Sequence, residues 1–325
     1  MRRPDRSRLS RRVILGGLAG ALSFPRVTAA QTAGKLPRVG YVQADNPFSL
    51  PLREAFLAGL RELGWVDGQN IALDWRRRDD EIAELVRLNV DVLVLPNPYR
   101  IRAGLKLTRT IPIVTNDLES DPVAAGFIKS LARPAGNVTG IWVDLPELAG
   151  KQAQLLTEVV PGLRRIAVIW DDRVAGLQFT ATEAAARALG VTVHSALLRE
   201  PREVENVLAG VLRSRPQAAV LLTSPIIFRV QGRLAELLLE GRLGAICGFT
   251  SFADSGGLLS YGPNQPAINR QMASYVDRIL KGARPGDLPV ERPVKFQLRV
   301  NARTAKALGL TLPPSLLART DEVLQ

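Results

Sequence analysis

The residues that could do chemistry in this chain are carboxylates, amides, hydroxyls and aromatic rings that follow short apolar segments. The sequence contains a single histidine, His194, and a single cysteine, Cys247. Each stands inside an apolar, β-branched segment ("VTVHSAL" and "LGAICGF"), so we expect both side chains to be packed. A single cysteine excludes an internal disulfide and a cluster of metal-bound thiolates.

The sequence motifs of common enzyme and cofactor sites are absent. The loop after the first predicted strand, "QADNPFSL", contains no glycine and therefore cannot hold a G-x-G-x-x-G dinucleotide fingerprint. The sequence also lacks a G-x-x-x-x-G-K-[ST] phosphate loop and a G-x-S-x-G nucleophile elbow. A lone histidine cannot form the usual transition-metal site. We therefore predict a protein that is not an enzyme and that uses no cofactor or metal.

Ten polar or aromatic residues stand at or beyond the ends of predicted strands. In open α/β sheets, ligands bind beyond the carboxyl ends of the strands. There, carboxylates would pair with an amino group, helix N-termini would hold a carboxylate, and rings would cover an apolar body. The alternative is that the Asp and Asn residues only cap the following helices. The candidate ligand-binding set is Asn46, Phe48, Asn97, Asp117, Asp121, Trp142, Asp171, Ser224, Thr250 and Tyr261.

The elements that must position these residues alternate along the chain. Short β-branched runs, beginning with "RVGYVQ" at Arg38, are separated by amphipathic helical segments. Strands that read as continuous apolar runs are typical of parallel sheets with helices on both faces, so the sequence predicts an α/β protein. The run "RIAVIW" at Arg165 repeats the first strand, and "RELG" and "RALG" end the two following helices at Gly64 and Gly190. Each glycine is expected to be a left-handed helix cap.

Two units of matched size predict two lobes with a sheet each, although one long sheet is the alternative. Late strands near 258–264 and 290–300, with the segment 138–144, predict three connections between the lobes. We assign residues 36–140 plus about 263–290 to the N-terminal lobe. Residues 141–262 plus about 297–325 make the C-terminal lobe.

The first 30 residues predict an export signal that is removed near residue 30. The apolar run Val13–Phe24 is too short for a membrane span, which needs about 20 residues. It follows an arginine-rich leader and precedes small residues, as in a signal peptide. The stretch "SRRVIL" also resembles the twin-arginine motif, and the general export route is the alternative. Residues 1–30 carry seven arginines and one acid, which is half of the net charge of +12, so no nucleic-acid partner is indicated.

Longer segments resemble a family of bacterial ABC-transporter substrate-binding proteins that includes tryptophan and tyrosine binders. They include "GLRELGWVDGQNI", "IPIVTNDLESDPVAAGFIKSLARPAGNVTG" and "GFTSFADSGGLLSYGPN". The resemblance implies two Rossmann-like lobes with parallel sheets, joined by three crossovers, as in type I periplasmic binding proteins. It also implies a monomer in the periplasm that closes on a small solute and delivers it to a cognate ABC permease. "DPVAAG" matches the family pattern, which makes Asp121 and a helix behind it candidates for ligand contact.

Two departures from the family pattern leave the solute open. "PNPYRIRAG" replaces a loop of small residues after the third strand, and "TSPIIFRVQ" lacks an acid that aromatic amino-acid binders use near there for the amino group. The solute is then an amino acid, including an aromatic one, or a small organic acid. An extracytoplasmic ligand sensor is the alternative function, and a two-lobed enzyme that works with carboxylates alone is a further one.

Overall fold

A computed structural model describes residues 35–44, 46–117, 120–143 and 145–325. The predicted export signal lies outside the described residues. The described strands are β1 (Arg38–Val42), β2 (Ala72–Arg76), β3 (Val92–Val94), β4 (Ile113–Asp117), β5 (Val138–Trp142), β6 (Arg165–Trp170), β7 (Thr192–Leu197), β8 (Ala218–Leu221), β9 (Gly244–Cys247), β10 (Leu259–Pro263), β11 (Phe296–Asn301) and β12 (Glu322–Leu324). The described helices are α1 (Leu50–Glu62), α2 (Ile82–Arg87), α3 (Pro98–Leu107), α4 (Leu145–Val159), α5 (Gly176–Ala188), α6 (Val204–Arg213), α7 (Pro225–Glu240), α8 (Ser251–Asp254), α9 (Gln265–Leu280), α10 (Ala302–Leu308) and α11 (Pro314–Leu317).

Two separate sheets confirm the predicted pair of α/β lobes. The first lobe contains five strands in the order β2-β1-β3-β4-β5, all paired in parallel. The second contains seven strands in the order β12-β11-β10-β9-β8-β6-β7, in which only β10 and β11 pair antiparallel. The alternative of one long sheet is therefore wrong.

The chain crosses between the lobes three times, as predicted. It leaves the first sheet after β5, returns after β10 as α9, and leaves again before β11. Helix α9 packs on α1 so closely that a Cβ on Gly59 would lie 2.6 Å from the Arg270 carbonyl oxygen. This contact fixes α9, and with it the residues at its first turn, to the first lobe. The residue limits of the lobes stay a prediction.

The two repeated units end their first helices in the same way. Gly64 and Gly190 have φ of +88° and +68°, so both are the expected left-handed caps. Cys247 is fully buried in the central strand β9, as expected. The expectation for His194 is wrong, because β7 is an edge strand and this side chain is exposed. In the described part of the chain, no helix is long and apolar enough to cross a bilayer.

Candidate ligand-binding cleft

A cavity of about 870 Å³ lies between the two lobes. Its first wall comes from the residues that follow β1, β2, β3 and β4 and from the first turn of α9. Its second wall comes from the residues that follow β6, β7, β8 and β9. The cavity therefore lies at the carboxyl edge of both sheets, where α/β proteins bind ligands, and its size suits a small molecule.

Part of the cavity lining on the first lobe is a buried, neutral hydrogen-bonded layer. The Tyr41 hydroxyl donates to Asn269 Oδ1 at 2.8 Å, and Asn269 Nδ2 donates to the Gln265 carbonyl oxygen at 3.0 Å. Burial raises the pKa of Tyr41, so the hydroxyl stays protonated. The Gln265 side chain is 6% exposed, lines the cavity, and makes no hydrogen bond to the described residues. It leaves an amide available to a ligand.

Asn97 forms a strained junction between β3 and α3 at the cavity wall. Its φ of +78° and ψ of 156° lie in a region that is essentially reserved for glycine. Two hydrogen bonds and the proline that follows hold this conformation. The Asn97 N–H donates to the Asn116 carbonyl at 3.0 Å, its Oδ1 accepts from the Arg100 N–H at 3.1 Å, and Pro98 follows as the first helical residue.

Among the described residues, a hydrogen bond beside the cavity joins the two lobes. The Tyr99 hydroxyl, from α3, donates to Asp171 Oδ2 at 3.0 Å, just beyond β6. Asp171 is fully buried and also accepts from Arg173 Nε at 2.8 Å and Arg173 Nη2 at 3.0 Å. Burial, followed by the negative charge of Asp171, raises the pKa of Tyr99, which therefore remains a donor. We call this contact the Tyr99–Asp171 latch.

Two equivalent loops place arginines on the rim. In the first lobe, Glu81 Oε2 accepts from the backbone N–H groups of Arg77 and Arg78, at 3.0 and 2.7 Å. In the second lobe, Glu203 Oε2 accepts from the N–H groups of Arg199 and Glu200, at 3.1 and 3.0 Å. The same capping arrangement therefore fixes arginine-bearing turns on both sides of the cleft.

Aromatic rings form an apolar part of the second wall. The Phe228 and Phe249 rings both line the cavity and meet edge to face, with centroids 5.0 Å apart. Phe48 reaches across from the first lobe, and its ring centroid lies 6.0 Å from that of Phe228. These rings can cover the apolar body of a ligand.

Comparison with known proteins assigns the chain to a family. The sequence model for ABC transporter substrate binding proteins matches residues 45–324. The chain belongs to this family. A tyrosine-binding protein from Clostridioides difficile strain R20291 is 22% identical over 286 residues, which cover 85% of this chain and 82% of that protein.

Solved structures share the fold of this substrate-binding protein. A conserved domain protein from Vibrio cholerae O1 biovar El Tor has a TM-score of 0.82 and 25% identity. A domain from Streptococcus pneumoniae in complex with L-Trp has a TM-score of 0.82 and 22% identity. Each comparison covers 89% of this chain and 100% of the other. Proteins of this family bind solutes outside the cytoplasm, and membership implies a small-molecule ligand and an ABC permease as partners.

The structure brings only part of the predicted site set to the cavity. Asn46 and Asn97 line it, while Phe48 and Asp171 contact lining residues without lining the cavity themselves. The other six do not line the cavity. They are Asp117, Asp121, Trp142, Ser224, Thr250 and Tyr261.

Several of these six have structural roles that explain their position. Ser224 caps α7 through the Ile227 N–H. Asp121 accepts from the N–H groups of Val123 and Ala124 in a series of turns, so the helix expected behind Asp121 is not formed. Asp117 is fully buried and accepts from the Ser120 N–H at 3.1 Å.

The remaining three are held by packing. Trp142 is 2% exposed in the core of the first lobe, and Thr250 is 6% exposed. Tyr261 stacks on Phe296, with ring centroids 6.0 Å apart. Sequence reasoning missed Tyr41, Gln265 and Phe228, which do line the cavity. The one signal for Gln265 was its place at the start of the helix after the second crossing.

Proposed function

We propose that this protein captures a small solute between its two lobes and delivers the closed complex to its ABC permease. The observation that carries this proposal is the cavity of about 870 Å³, whose two walls come from different lobes. The Tyr99–Asp171 latch lies beside it and can form only when the lobes are together. Three crossovers supply the hinge about which the lobes would rotate.

The solute is an amino acid, including an aromatic one, or a small organic acid. The names of two relatives support this range, since one is a tyrosine-binding protein and another was solved with L-Trp. The phenylalanine rings of the second wall and the amides of the first are suited to a solute with an apolar body and a polar head. The protein uses no cofactor for this role.

The same proposal includes the cellular location of the protein and its oligomeric state. The first 30 residues direct it to the periplasm and are removed, by the twin-arginine or the general route. It acts there as a monomer without a nucleic-acid partner.

A thermal-shift screen of the purified protein tests the proposed function. The panel contains amino acids, aromatic acids, short carboxylates and sugars, and each bound solute is recovered and analysed. A solute at one hundred times its dissociation constant should stabilise the folded state by about 2.7 kcal/mol. Recovery of an unchanged solute is the expected result. Chemical conversion of the solute, or a folded protein that binds no member of the panel, contradicts the proposal.

A further inference from the structure

Arginines outnumber acids among the described residues that line the cleft, and two of these arginines, Arg173 and Arg199, pair with Asp171 and Asp172 beside it. Among the described residues, the lining contains three acids, Asp79, Asp80 and Glu200, against six arginines. Such a ring attracts anions and repels cations as a solute approaches. The arginines are Arg77, Arg78, Arg100, Arg173, Arg199 and Arg229.

Each of the three lining acids already has an arginine partner. Asp79 pairs with Arg100 at 2.7 Å, Asp80 pairs with Arg78, and Glu200 lies 3.8 Å from Arg173. In the described lining, no carboxylate is therefore left over for a ligand's ammonium group. Burying an ammonium without such a partner is unfavourable.

The interior of the cavity offers amide N–H donors that a carboxylate can use. The almost fully buried Gln265 amide, which the described residues leave unpartnered, can donate two N–H bonds. The side-chain amides of Gln43 and Asn116 also line the cavity and make no hydrogen bond to the described residues. Phe228 and Phe249 provide the apolar wall opposite. Neutral donors beneath a cationic rim suit an anion, since charged acceptors form the stronger hydrogen bonds.

We propose that the solute is a carboxylic acid with an apolar body and no protonated amine, bound with its carboxylate toward the Gln265 amide. This inference rests on the proposed solute-binding function and narrows it to one of the two solute classes left open. The protein is then a carboxylate-binding rather than an amino-acid-binding member of its family.

Matched ligand sets test the class by isothermal titration. The compounds of each set share one aromatic ring and differ in their polar group. The first set contains 3-(4-hydroxyphenyl)propionate, its amide, L-tyrosine and tyramine. The phenyl and indole analogues form two more sets. We expect an acid to bind at least about tenfold more tightly than the amide and the amino acid of its set, with no binding of the amine. An amino acid that binds more tightly than its matched acid overturns the proposal, and so does a panel in which no acid binds.

Substitutions at Gln265 test its contact with the carboxylate and distinguish loss of that contact from loss of folding. Gln265→Leu should weaken acid binding by about tenfold or more, whereas the exposed Gln154→Leu should leave it unchanged. Gln265→Glu keeps the size of the side chain and should abolish acid binding while admitting the amino acid or the amine. Unchanged acid binding in folded Gln265→Glu protein contradicts the proposed contact.

Arg229 tests the role of the rim. It is exposed, lines the cavity, and has no partner in the described chain. Arg229→Gln should slow association of the acid at low ionic strength, and the difference should vanish at high salt. The exposed Arg303→Gln outside the cavity is the matched control. Equal association rates for the two variants at low salt would contradict a role of the rim arginines in attracting the acid.

The count of carboxylates covers only the described residues and therefore leaves out Asp45. An Asp45→Asn variant tests whether this side chain binds an ammonium group. If an amino acid binds and Asp45→Asn abolishes that binding, the carboxylate class is wrong while the proposed solute-binding function stands. If no solute of any charge class binds, both fail.

Discussion

Two equivalent junctions, one in each lobe, join a central strand to the helix that follows it. Asn97-Pro98 leads from β3 into α3, and Ser224-Pro225 leads from β8 into α7. In both, the cap side chain accepts from the N–H three residues on, at 3.1 and 3.2 Å. The backbones differ, however, because φ is +78° at Asn97 and −159° at Ser224.

The strained junction is the one that lines the cavity. Ser224 is fully buried and does not line the cavity, so its conformation serves the helix alone. Asn97 lines the cavity, and its helix carries Tyr99 to the latch on Asp171. A backbone of this type costs about 1–3 kcal/mol and persists only where surrounding contacts impose it. The strain of the first lobe therefore lies at the junction that lines the cavity and begins the helix of Tyr99.

The largest expected effect comes from removing the acceptor of the latch. Asp171→Ala should lower the free energy of unfolding by about 2 kcal/mol, because it leaves the Tyr99 hydroxyl and the Arg173 guanidinium without their partner. Arg173 is 42% exposed, which limits the loss. Denaturant unfolding measures it. The neighbouring Asp172→Ala removes only an exposed pair with Arg199 and should lose less than about 1 kcal/mol; equal losses would contradict the special role of Asp171.

Glycine substitutions should have opposite signs at the two junctions. Asn97→Gly should raise the free energy of unfolding by about 0.5–1 kcal/mol, because relief of strain exceeds the lost cap and the added chain entropy. Ser224→Gly relieves no strain and should lower it by about 1 kcal/mol. Changes of the same sign in thermal or denaturant unfolding would show that the Asn97 backbone is not strained.

A smaller effect is expected from the donor of the latch. Tyr99→Phe keeps the ring and should disfavour the closed state by about 1 kcal/mol, which lowers solute affinity roughly fivefold. Asp171 keeps Arg173, so unfolding should change little. Tyr275→Phe is the matched control, since that hydroxyl donates to the Pro289 carbonyl within the first lobe. Tyr275→Phe should reduce the free energy of unfolding and leave solute affinity unchanged. If Tyr275→Phe lowers solute affinity and Tyr99→Phe does not, the contact that stabilises the closed state is not the Tyr99–Asp171 latch.

The smallest effect concerns the single cysteine, two residues before the cavity-lining Phe249. Burial raises the pKa of Cys247 to about 12, so the thiol is protonated at neutral pH. Its contribution to stability is present below about pH 9 and is lost as the pH rises toward 12. Thiol reagents at pH 8 should label it only after unfolding. Rapid labelling of folded protein would show that the second wall opens locally.

The fold was predictable because its signals are local. Alternating apolar strands and helices, the repeated "RELG" and "RALG" ends, and the late strands gave two lobes and three crossovers. His194 was misplaced because an apolar segment does not reveal that its strand, β7, lies at the edge of a sheet.

The cavity was predictable only in part because the same residue types cap helices and line sites. Asn97 and Ser224 look alike in sequence, yet only Asn97 reaches the cavity. Tyr41 reads as a core residue and is indeed 1% exposed, so nothing local reveals that its hydroxyl belongs to the cavity lining. Gln265 is placed there by the packing of α9 on the first lobe, which no short segment encodes.

Closure of the two lobes on a solute is the central claim, and the distance between them tests it most directly. Glu54 and Arg202 are exposed residues of opposite lobes that do not line the cavity. Because Cys247 is buried, spin labels at Glu54→Cys and Arg202→Cys can be attached selectively. We predict that a bound solute shifts the label-to-label distance distribution to a single short distance, and that Tyr99→Phe weakens this shift. A distribution that is unchanged by a saturating bound solute would contradict the account.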